Sequence, residues 1–220
     1  METEDRIRVS PLLVLVFAGL AVAVASGVLG FLAWRDGGEE DPKSYMGGVA
    51  SRPFLLPDVT LTDQEGQPFD LRAEAEGYVT LLYVGYTHCP DICPTHLYEI
   101  SEALKRLPQK TRDQVKVVFV TADPERDTPE VLKEYVETFD ESFIGLTGTR
   151  EQTDAFQEEL GIGVASRTDL GGGNYVVNHA AYVIAFTKEG EGYTVYPSGM
   201  GMREWLNDIP LLVEKGFQPS

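Results

Sequence analysis

The chain has 220 residues, 43% hydrophobic and 24% charged, which suits one globular domain with a sizeable core plus an appendage. Its 35 acidic residues against 18 basic ones give a formal charge of -17. A chain this acidic repels nucleic acid, which excludes that class of partner; it leaves room for a basic protein partner, and a charged face kept for solubility is the simpler account.

The first element is apolar. From Pro11 to Trp34 there is no charged residue, and the 24 residues are enough to cross a bilayer as one helix without a polar face. Arg6 and Arg8 precede the segment and "RDGGEEDP" follows it, so the positive-inside bias leaves the tail in the cytoplasm and the bulk of the chain outside it. Ala23-Val24-Ala25 resembles a signal-cleavage site, but the apolar run continues to Trp34, which favours an uncleaved anchor. The organisation read from this is a cytoplasmic tail (1–10), a transmembrane anchor (11–34), a Gly/Glu/Asp-rich linker (35–51) and a folded domain (52–220).

Within the domain, "FLLPDVTLTDQEGQPFDL" carries a turn signal and predicts a β-hairpin. "GYVTLLYVGY" is an almost continuous apolar run, as in a strand buried on both faces. "PTHLYEISEALKRLP" spaces Leu97, Ile100, Leu104 and Leu107 as a helix, with Pro94 suited to its first position. "VKVVFVTAD" predicts a second buried strand, "DTPEVLKEYVETF" a helix capped at Asp127 or Thr128, and "TREQTDAFQEELG" a helix closed by Gly161. "GGGN" reads as a flexible loop. "AAYVIAF" and "GYTVYPS" read as antiparallel strands, and "MREWLNDIPLLVEKG" as a final helix interrupted or kinked near Pro210. The order is that of an α/β fold, a mixed sheet with flanking helices on the thioredoxin-like plan. Ligands in such sheets gather at the carboxyl ends of strands, where "CPDIC" and "ADPERD" both fall.

Both cysteines of the chain lie in "VGYTHCPDICPTH". A disulfide between Cys89 and Cys93 would close too small a loop to stabilise the fold much, so the pair points to chemistry. Cys93 falls at a helix start, where free N–H groups favour a thiolate. Two thiolates can form a disulfide or share a soft metal. A closed zinc site needs four ligands, more than the pair supplies, whereas copper(I) needs two or three. His179, before a buried strand and after a Gly-rich loop, is the candidate third ligand. His88 and His96 are read as structural. Thioredoxin-type oxidoreductases place a cis-proline opposite CxxC; this chain has CxxxC and no proline between Pro129 and Pro197.

"YTHCPDICPTHL", "VTADPERDTPEVLKEYV" and "NHAAYVIAF" resemble the Sco/SenC family of copper-binding assembly factors for cytochrome c oxidase, over roughly residues 52–216. The resemblance implies one copper ion per chain held by Cys89, Cys93 and His179, and delivery of copper, or reduction of target cysteines, at the dinuclear copper site of an oxidase subunit. Another copper chaperone is a candidate donor. Many members carry Asp before the histidine, where this chain has Asn178. Asp123 and Asp127 read either as a strand end and a helix cap or as support for the copper site or a partner contact. The expected protein is a single-pass membrane copper chaperone with its domain on the extracytoplasmic side. The alternatives are a thiol–disulfide reductase using Cys89 and Cys93 as a redox pair, and a redox sensor.

Overall fold

The computed structural model describes residues 44–217, together with Gly27. Among these, no helix is long and apolar enough to cross a membrane. The expected anchor (11–34) lies outside the described residues apart from Gly27.

Strand β1 (Gly48–Leu55) begins inside the stretch read as linker. It is an edge strand with mostly exposed side chains, so it carries no alternation to read. The predicted hairpin follows as β2 (Thr60–Asp63) and β3 (Pro68–Asp70), leading into a short helix, α1 (Leu71–Ala75), capped by Asp70. Strand β4 (Val79–Gly85) is buried at every position, as its apolar run requires. Helix α2 (Ile92–Arg106) buries Leu97, Ile100 and Leu104 on the predicted face. It starts earlier than Pro94, which becomes its third residue; its missing N–H still costs nothing in the first turn.

A one-turn helix α3 (Gln109–Arg112) precedes β5 (Val115–Thr121). Helix α4 (Pro129–Glu137) is capped by Thr128, whose side chain accepts from the Val131 N–H, so the cap is not Asp127. Strand β6 (Ile144–Thr147) was too short to be read from the sequence. Helix α5 (Arg150–Leu160) ends as predicted at Gly161, in the left-handed conformation (φ 77°). The "GGGN" stretch is not a free loop: it turns a hairpin of β7 (Ser166–Gly171) and β8 (Asn174–Asn178). Strands β9 (Tyr182–Phe186) and β10 (Glu191–Pro197) pair antiparallel as expected. Helix α6 (Met202–Lys215) runs unbroken through Pro210, because burial of Trp205, Ile209, Leu212 and Val213 outweighs one lost backbone bond.

The main sheet has the order β1-β10-β9-β4-β5-β6-β2-β3. Its parallel centre is β4-β5-β6, and antiparallel strands complete both sides. This is the mixed α/β, thioredoxin-like arrangement with flanking helices. The β7–β8 hairpin forms a separate two-stranded sheet. Strands β4 and β5 end side by side, with Gly85 paired to Thr121, so the loops that follow them start together.

Candidate metal centre

The two loops are tied at their roots. The Ala122 N–H donates to the Gly85 carbonyl at 2.6 Å. The Asp127 carboxylate, fully buried, accepts from the Thr87 N–H (3.0 Å), the Thr87 hydroxyl (2.6 Å) and the Thr121 hydroxyl (2.6 Å). Asp127 therefore does not cap the next helix. It spends its oxygens binding the cysteine loop to the end of β5.

The thiols differ. Cys93 is fully buried and Cys89 half-buried, and both are free. Gly85 makes room for the inner sulfur: a Cβ there would lie 3.0 Å from Cys93 Sγ and 2.7 Å from the Phe119 ring. The Tyr83 hydroxyl, two residues back on the same face of β4, donates to Cys93 Sγ at 3.4 Å. The Cys93 thiol donates to Cys89, and with the N–H groups of Asp91 and Cys93 brings the Cys89 pKa down to about 5 despite partial burial. Holding its proton in that bond, together with burial, pushes the Cys93 thiol upward against the pull of Tyr83. The amides at the helix start thus serve the sulfur of Cys89, not only the Cys93 that stands on the helix.

His179 follows β8 directly and its Nε2 lies 3.7 Å from Cys93 Sγ. Its Nδ1 sits 3.1 Å from the Ala180 carbonyl, which can only accept. Nδ1 therefore carries the proton, and the lone pair of Nε2 faces the thiols. Tyr86 and Tyr83 hold the ring edge-on, at 5.7 and 6.0 Å between centroids.

One ligand atom each from Cys89, Cys93 and His179 lies within 4.8 Å of the others, so the three could hold a metal ion. The donors are two sulfurs and an imidazole, with no oxygen among them, a set that suits copper(I). His88 turns away to the Thr87 hydroxyl and has a half-exposed side chain; His96 is buried against the Tyr83 ring. Neither joins the cluster. Asn178 bonds the Thr168 hydroxyl across the hairpin at 2.9 Å and makes no bond to the imidazole.

Asp123, also fully buried, does more than end a strand. It receives Arg126, Arg167 and the Tyr175 hydroxyl, from its own loop, from β7 and from β8. Neither Tyr83 nor this group of partners was singled out from the sequence. For Tyr83 and Gly85 the period of two along β4 was the available signal; for Arg167 and Tyr175 there was none, because only folding brings the hairpin to Asp123.

A model of the SCO1/SenC family matches residues 50–214. A SCO2-like protein of Rickettsia prowazekii is 39% identical over 131 residues, 59% of this chain and 63% of the relative. The chain spans about three fifths of the length of such relatives. Bradyrhizobium japonicum ScoI, solved with copper bound, is 33% identical with a TM-score of 0.63, covering 74% of this chain and 97% of that one. Apo Sco1 of Thermus thermophilus is 32% identical with a TM-score of 0.69, covering 77% and 97%.

Proposed function

The chain belongs to the SCO1/SenC family, and on that footing we propose that it is a copper chaperone, not a turnover enzyme, that carries one copper ion on Cys89, Cys93 and His179. The observation that carries this reading is the convergence of two thiols and an imidazole lone pair, some ninety residues apart in the chain, within 4.8 Å. Copper is cargo here, and a three-donor soft site on a half-exposed thiol holds it while leaving a side open for transfer. The receiver is the copper-bearing subunit of cytochrome c oxidase, where the protein assists assembly of the dinuclear site, and another copper chaperone is a candidate donor. Residues 11–34 anchor it by one helix, with the domain on the extracytoplasmic side, where thiols and disulfides can interconvert.

A second reading has its own support. A half-exposed sulfur with a lowered pKa, backed by a buried thiol, suits the attacking and resolving positions of thiol–disulfide exchange. Copper titration of the full chain, with metal counted by native mass spectrometry, separates the two. The chaperone reading expects one copper on the wild type and weakened binding in His179→Ala. Retention of zinc in place of copper, or copper binding indifferent to His179, would overturn it. A reductase needs only the cysteine pair and would keep its exchange activity in that variant.

A further inference from the structure

The β7–β8 hairpin presents His179, yet it shares no ladder with the main sheet. Every residue of β7 is exposed, and in β8 only Val177 is buried. A two-stranded hairpin of this kind is marginal by itself. Something else must hold it against the thiols.

We propose that Asp123 is the centre of a clasp that fixes this hairpin, and that Asp123, Arg167 and Tyr175 are positioning residues for His179. The Asp123 carboxylate, with no exposure to solvent, accepts from Arg167 Nη2 at 2.7 Å and from the Tyr175 hydroxyl at 2.9 Å. One contact comes from each strand of the hairpin. Arg126 bonds the same carboxylate and lays its guanidinium 3.7 Å over the Tyr175 ring. Glu125 adds a second acceptor for Arg167 and is itself held by Arg150. The clasp continues inward. The Asp123 N–H donates to the Thr121 hydroxyl at 2.9 Å, and that hydroxyl donates to Asp127, which holds Thr87, two residues before Cys89. One hydrogen-bonded chain therefore runs from the strands that present the imidazole to the loop that carries the thiols. It fixes the span between them.

Exposed ion pairs alone contribute little to stability, but Asp123 is dehydrated and bonded on both oxygens, so its partners are geometrically fixed. The inference rests on the reading of His179 as a copper ligand. Its test is a double-mutant cycle on the full chain, by copper(I) competition against a chromogenic chelator under reducing conditions. Arg167→Gln and Tyr175→Phe change partly exposed side chains and are the variants of choice. Each is expected to weaken copper(I) binding about tenfold or more, the usual scale for a group that orients a ligand. In a His179→Ala background the same changes should leave the remaining affinity within about twofold. Hydrogen exchange of the amides of 166–178 in the metal-free protein should accelerate in both variants. Equal losses with and without His179, no loss in the wild-type background, or unchanged exchange would overturn the clasp. If His179→Ala alone leaves affinity unchanged, the ligand reading falls first and the positioning role falls with it, an outcome distinct from the others.

Discussion

Cys89 lies in the loop before α2 and Cys93 in its first turn, and the fold gives them opposite protonation. The buried sulfur keeps its proton and shares it in a hydrogen bond with the half-exposed one, whose pKa drops to about 5. The consequence is measurable in the metal-free, reduced protein. Because the folded pKa of Cys89 is depressed, its thiolate is already formed at pH 6 and is lost only as pH falls through about 5. Alkylation of Cys89 should therefore be nearly flat from pH 6 to 8, where an ordinary thiol with a pKa of about 8.5 speeds up roughly a hundredfold. Cys93 should stay unmodified over the same range. Mass mapping of iodoacetamide adducts against pH checks both; a steep rise for Cys89 would refute the pairing.

At the scale of elements, the site is held by what joins β4, β5 and the hairpin. Asp127 and Thr128 are neighbours in sequence with different tasks. Thr128 caps α4, and its replacement by Ala should cost about 1 kcal/mol. Asp127 holds three donors at the root of the cysteine loop, two of them on Thr87, so Asp127→Ala removes the acceptor of one backbone N–H and two hydroxyls. That change should cost about 2–4 kcal/mol. Urea denaturation of the two variants side by side checks the assignment: if Thr128→Ala proves the more damaging, Asp127 is not the tie described here.

At the scale of the molecule, the domain starts earlier than composition suggests. Tyr45, Met46 and Gly47 are bound to the last helix: the fully buried Asp208 accepts the N–H groups of Met46 (3.0 Å) and Gly47 (2.9 Å) and the Tyr196 hydroxyl (2.8 Å), and the Tyr45 hydroxyl donates to the Gly216 carbonyl. A fragment beginning at residue 44 keeps these bonds and β1. One beginning at residue 52 loses the first half of β1 and leaves Asp208 with two donors missing. The shorter fragment should be less stable by about 3 kcal/mol or more, and should melt lower by circular dichroism. Equal melting of the two would show that the linker does reach to residue 51.

The chain alone determined the α/β class, the central strands and the amphipathic helices, because burial on two faces or on one leaves a period that residues such as Leu81, Leu82, Leu97 and Ile100 display without any knowledge of the fold. It also marked the thiol pair as chemical rather than structural and offered His179 as the candidate third donor, which the fold brings beside the two sulfurs. What it could not display was anything made by contact between distant segments. Edge strand β1 and the short β6 have no buried period of their own and exist through pairing. The tautomer of His179, the split between the two thiols and the roles of Asp123 and Asp127 depend on which donor lies within 3 Å or so of which acceptor, and Arg167 and Tyr175 reach Asp123 from more than forty residues away. Hydrogen bonds of that range have no signature in local sequence, and only the closing of the tertiary fold decides them.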